Sequence, residues 1–197
     1  MKISTEIIFN CLVQKMQVQR FGPIKEELVL NRIEFYVKNR LLKRNCIYLV
    51  RSDQLSDDLN ITPDVSFICV GGKPPQAYMT GKCSFLLLES CNDILSIFNE
   101  VQEIFELYEA WDNELQQLLA TTADIREMIK ISLPIFENPI YITDHNLNLL
   151  ASTVIEEDSG KLSIDYSDAE WTIAQIIKNP AQRKGFRLSR AKRGNAF

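Results

Sequence analysis

Side chains able to do chemistry fall in four places along this chain. The first is Gly71-Gly72-Lys73, where two glycines let a backbone approach a ligand closely and a lysine beside them can neutralise an anion. The spacing is not that of the eight-residue phosphate loop, because Pro74 stands where that loop has Ser or Thr. A tight turn entering a proline-stiffened loop uses the same residues with no ligand at all. Gly71, Gly72 and Lys73 are therefore weak binding candidates. The second place is the loop holding Asp53, Asp57 and Asp58. The third is His145, the single histidine, which lies in Asp144-His145-Asn146 and reads as a solvent-exposed turn residue. No Gly-x-Ser-x-Gly elbow accompanies it, so a hydrolase triad lacks its parts. Cys11, Cys46, Cys69, Cys83 and Cys91 are the fourth: scattered, odd in number, and mostly inside apolar runs where a thiol behaves as a small hydrophobe. With no Cys-x-x-Cys and one histidine, no metal site is expected. Nothing in this set identifies an enzyme, and no catalytic residue, cofactor or metal is expected.

The elements that must position these residues are legible in part. Ser4 or Thr5 can cap a helix reaching Met16, with Ile7, Ile8, Cys11, Leu12 and Met16 on one face. Glu27 to Tyr36 is ambiguous between strand and helix, and its Val29, Ile33, Phe35 and Tyr36 favour the strand. Cys46–Val50, Val65–Val70 and Cys83–Leu88 are short continuous apolar runs, the pattern of strands buried on both faces by covering helices, so the fold class is α/β. Both the Asp53 loop and the Gly-Gly-Lys turn follow strand ends, where open α/β sheets place their ligand crevices. After residue 120 the chain changes character. Thr122 can cap a helix over Ala123–Leu133, Pro134 and Pro139 bracket a turn, and Ile140–Thr143 with Leu147–Ser152 reads as a hairpin. Ser167 or Asp168 can cap a further helix that Pro180 ends.

Between these halves runs a helix capped by Asn92 or Asp93, with apolar residues spaced three and four apart: Ile94, Ile97, Val101, Ile104, Tyr108, Trp111, Leu115 and Leu118. Such a seam predicts a left-handed coiled-coil pairing with a second chain, and a homodimer is expected through these eight residues. The stripe is widened by Leu95, Phe98 and Phe105, and burial against the chain's own domain is the alternative. Acids and amides cover much of the opposite face.

Charge is unevenly spread over the 197 residues. Net charge is −4, yet residues 1–182 carry 16 Lys and Arg against 26 Asp and Glu, while six cations fall between Arg183 and Arg193. The body should repel nucleic acid, and the basic end reads as a solvated tail. No run is apolar enough to span a membrane, and no secretory leader is visible, so a cytoplasmic location is expected.

The helix and its flanks also carry a family resemblance. Ile97 to Phe105, Tyr108-Glu109-Ala110-Trp111-Asp112 and Leu115 resemble the central stretch of bacterial PucR-type (purine-catabolism-regulator-like) transcription regulators. Ile125–Leu133, Pro134 to Pro139, Ile142-Thr143-Asp144 and Leu149 to Ser152 resemble the opening of the GAF/PAS-like sensory module found in such regulators. Lys2 to Ile8, Ile47–Val50 and Ile68–Gly71 resemble their N-terminal α/β region. The resemblance implies an α/β regulatory domain over residues 1–91, a dimerising helix over 92–120, a partial sensory module over 121–182 and a basic tail over 183–197. It implies a small-molecule effector as partner, with DNA bound only through a C-terminal helix-turn-helix that is expected to be missing from this chain. A stand-alone dimerising scaffold, or a truncated paralogue that pairs with a full-length regulator, is the second expectation.

Overall fold

A computed structural model describes residues 1–23, 26–56, 64–80, 83–91, 93–121, 124–136, 140–145, 149–155 and 162–165, with the backbone alone for 149, 153–155 and 162–165. Two compact units emerge, Met1–Ala110 and Trp111–Phe197.

The first unit is built on a mixed five-stranded sheet. Helix α1 (Thr5–Lys15) is followed by β1 (Gln19–Phe21), β2 (Arg32–Phe35), β3 (Cys46–Arg51), β4 (Ser66–Val70), the single turn α2 (Gln76–Met79), β5 (Ser84–Leu88) and the long helix α3 (Ile94–Thr121). In space the strands run β1-β5-β4-β3-β2. Strands β2 to β5 are parallel neighbours in chain order, and β1 joins antiparallel to β5, with Arg20 opposite Leu86. The three apolar runs read as doubly buried strands are that: every residue of β4 and β5 is buried, and β3 is buried from Cys46 to Val50. The ambiguous stretch before them yields a shorter strand than expected. Upstream of β2, Leu30 makes only an isolated bridge to Ile3.

Alternation along each strand sends side chains to two separate cores. Ile33, Ile47, Leu49, Ile68, Val70, Leu86 and Leu88 meet Ile8 and Leu12 of α1 and Ile97, Val101, Ile104 and Phe105 of α3 on one face. On the other face Tyr48, Val50, Phe67, Cys69, Phe85 and Leu87 meet Tyr36, Leu55 and Tyr78 from the connections. Phe67 sits at the centre of the second core, its ring 5.9–6.2 Å from those of Tyr36, Tyr48, Tyr78 and Phe85. Burial of each such side chain contributes about 1.5–3 kcal/mol. Thr5 on α1 and Ser66 on β4 satisfy each other in the first core through hydroxyls 2.9 Å apart.

Capping fixes both long helices of this unit. The Ser4 hydroxyl accepts from the Ile7 amide at 3.1 Å, and Asp93 Oδ1 accepts from the Leu95 and Ser96 amides, each at 3.1 Å.

The second unit begins inside α3. It continues with α4 (Ile125–Phe136) and the antiparallel strands β6 (Tyr141–Thr143), β7 (Leu149–Ile155) and β8 (Leu162–Asp165), in the order β6-β7-β8. The hairpin expected around His145 is the β6–β7 pair, with Ile142 opposite Ala151. One expectation is corrected here. Pro134 does not open a turn but lies within α4; it stands in the last turn, where its missing N–H removes one hydrogen bond and only two helical residues follow. Asp124, whose Oδ1 accepts from the Arg126 amide at 2.8 Å, acts at the start of α4. Thr122, the helix expected before Pro180 and the basic tail lie outside the described residues.

Candidate functional site

The carboxyl ends of β3, β4 and β5 bring Ser52, Gly71-Gly72 and Glu89 together, as the position of the loops suggested. The geometry is that of a closed turn. Gly71 and Gly72 have φ of 72° and 71°, the left-handed region that glycine enters without penalty. Their amides are already spent, Gly71 N–H on the Leu88 carbonyl at 3.2 Å and Gly72 N–H on the Glu89 carbonyl at 3.3 Å. The Ser52 hydroxyl donates to the Gly71 carbonyl. Neither glycine amide is free to cradle an anion. Lys73 stays exposed on the surface. Asp53 is held by Arg51 at 3.4 Å, and Asp57 and Asp58 lie outside the described residues. The turn therefore joins three strand ends, and its glycines are explained by backbone conformation.

His145 is exposed beyond β6, as expected of a turn histidine. Among the described residues no group of three or more His, Cys, Asp or Glu could hold a metal ion. The five cysteines are free thiols. Burial pushes Cys69 up to about 12 and Cys83 up to about 11, and raises Cys46 as well, so these three are protonated and inert at neutral pH.

The predicted pairing seam resolves differently from the coiled coil expected. Ile97, Val101 and Ile104 are buried in the first unit's own core, at 1%, 0% and 7% exposure, and Ile94 and Tyr108 pack against the same core. This corrects the assignment of those positions to an intermolecular interface: the sheet of the same chain is what the stripe covers. Farther along α3, Trp111 is engaged within the second unit. Its indole N–H donates to the Ser132 hydroxyl at 3.0 Å, Ser132 donates in turn to the Met128 carbonyl at 2.7 Å, and the indole meets the Phe136 ring edge-on at 5.6 Å. Leu115 and Leu118 are half-buried.

The first unit holds one feature that no motif announced. An open cavity of about 500 Å3 is lined by Met1, Lys2, Asn31, Phe105 and Glu109. Ligand pockets are generally of this size. An aromatic ring forms part of its wall, while Lys2, Asn31 and Glu109 offer a cation, an amide and a carboxylate. These residues come from the chain start, the approach to β2 and the middle of α3. The bridge between Ile3 and Leu30, with N–H···O distances of 2.8 and 2.9 Å in the two directions, draws the first two together.

No family model matches the chain, and no curated protein or solved structure matches it either. Among the described residues no helix is long and apolar enough to cross a membrane.

Proposed function

We propose that the chain is a non-catalytic regulatory region, of the kind its resemblance to PucR-type regulators implies, and that it senses a small polar effector in the cavity beside α3. One observation carries this reading: α3 lines the cavity with Phe105 and Glu109 and, two residues after Glu109, begins the second unit at Trp111. A ligand that prefers one setting of Phe105 and Glu109 biases the helix that both units share, and differential affinity for two settings is all that a population shift requires. The mixed lining of ring, amide and opposite charges suits a planar molecule with several hydrogen-bonding edges. A purine base is the first chemistry to try, on the strength of the resemblance alone.

The test is a thermal-shift screen of purine bases and nucleosides against the wild type and Glu109→Ala. A ligand at about a hundredfold excess over its Kd stabilises the folded state by about 2.7 kcal/mol. The expected result is a rise in Tm for at least one compound that is lost in Glu109→Ala, whose own Tm stays close to that of the wild type. A screen with no shift, or a shift indifferent to Glu109, overturns the reading.

A further inference from the structure

The β2–β3 connection stands out from the rest of an acidic protein. Residues 32–44 hold five cations, Arg32, Lys38, Arg40, Lys43 and Arg44, against one acid, Glu34. Arg32 and Arg40 share Glu34, at 2.7 and 3.7 Å, and Arg44 reaches Glu27 at 3.9 Å. Lys38 and Lys43 make no ion pair among the described residues. The loop is anchored from below: Leu42 packs against the second core, and the Lys43 amide donates to the Tyr48 hydroxyl at 2.7 Å. At its crest Leu41 is 86% exposed and Val37 51% exposed. A firmly seated loop that lifts a leucine out of the surface between lysines and arginines has the anatomy of a contact site, with an apolar anchor inside a charged rim.

The complementary surface is on the same chain. Helix α3 contains six acids and no Lys or Arg from Ile94 to Thr121. With its apolar side turned to the sheet, the side facing solvent presents Glu103, Glu106 and Leu107, the last 48% exposed. Neither glutamate has a cation within ion-pair distance among the described residues; Glu106 accepts only from Gln102, at 3.1 Å. Acids flanking an exposed leucine on the helix mirror cations flanking an exposed leucine on the loop. The loop crosses the second-core face of the sheet and α3 covers the first-core face, so the two surfaces point away from each other.

We propose that the basic β2–β3 loop of one copy docks on the acidic outer face of α3 in a second copy, joining copies head to tail. Charge complementarity sets the register and steers the encounter, and the two leucines supply the desolvated contact. Opposed surfaces make the contact heterologous, so association extends beyond a dimer unless the rotation closes a ring. A polyanion such as nucleic acid is a poorer occupant, since the chain as a whole is acidic, with a net charge of −4. The proposal does not depend on effector sensing.

Light scattering coupled to size exclusion tests it. Wild-type mass should climb past that of a dimer with concentration and fall to the monomer in about 1 M salt, where the screening length is about 3 Å. A loop variant, Lys38→Ala/Leu41→Ser/Lys43→Ala, and a helix variant, Glu103→Ala/Glu106→Ala/Leu107→Ser, should each be monomeric and keep the wild-type circular dichroism. Mixed, they should form a complex of twice the monomer mass and no larger, because each supplies the surface the other lacks. A wild type monomeric at all concentrations overturns the proposal, as do variants that still self-associate or a mixture that does not combine. Loop-dependent binding to phosphatidylserine vesicles by a wild type that stays monomeric overturns it too, and assigns the loop to a lipid surface.

Discussion

Two single residues make opposite use of what surrounds them. Gly72 sits at φ 71°, and a Cβ built there would meet Ser52 Oγ at 3.2 Å. Gly72→Ala should cost about 1–2 kcal/mol, the left-handed penalty for a residue with a Cβ, measurable by urea unfolding. A cost near zero would mean that the turn can relax. Cys69 and Cys83 are governed by desolvation, which disfavours the thiolate. In the unfolded chain both titrate near their ordinary value of 9.0, while in the folded protein they hold their protons to about 12 and about 11. Above pH 9 the unfolded state therefore binds fewer protons, and stability should fall as pH rises from about 9 to about 12, whereas below pH 9 these thiols contribute no slope. At pH 8 a thiol reagent should modify the partly exposed Cys11 and Cys91 first and reach Cys46, Cys69 and Cys83 only after denaturant is added. Fast labelling of all five in the native protein would contradict their burial.

Among elements, α3 shows why a periodic stripe in a sequence is an incomplete statement. The spacing of Ile94, Ile97, Val101, Ile104 and Tyr108 says correctly that one side of the helix is covered, and it is silent on which chain does the covering. The structure answers with the helix's own sheet. Ile97→Ala should then lower the stability of the first unit by about 2–5 kcal/mol, while Leu107→Ser on the outer face should stay within about 0.5 kcal/mol. Loss of self-association in Ile97→Ala with unchanged unfolding would restore the seam to an interface. The strands β3, β4 and β5 were readable because burial on both faces leaves an uninterrupted apolar run. The strands β1 and β8 were not: Gln19-Arg20-Phe21 and Leu162–Asp165 are three and four residues long and owe their state to a neighbour, which no local pattern encodes. The cavity was equally hidden, because Lys2, Asn31 and Glu109 meet only after the bridge between Ile3 and Leu30 and the packing of α3 are in place. By contrast, the Gly-Gly turn was visible as a turn, and only its hydrogen bonds show that its amides are occupied.

For the molecule as a whole, the division at Ala110/Trp111 places the end of the first unit inside a helix. A chain cut at residue 91 has all five strands but leaves Ile47, Leu49, Ile68, Leu86 and Leu88 facing water where Ile97, Val101, Ile104 and Phe105 should lie. Such a fragment should show strand signal without fixed side-chain packing and bind an apolar dye, whereas one ending at residue 121 should give dispersed methyl resonances. Equal dispersion in both would show that α3 is dispensable to the core.

The pairing of β1 with β5 has a further consequence for how the protein is made. On a ribosome β2, β3, β4 and β5 emerge in the order in which they lie side by side, so each can add to the edge just laid down. Gln19 to Phe21, synthesised before any of them, must wait for Phe85 to Leu87 to leave the exit tunnel before finding its neighbour. The earliest strand is thus the last to dock, and until it does the growing sheet ends in the bare β5, four of whose five residues are apolar, the stretch of nascent chain most in need of a chaperone.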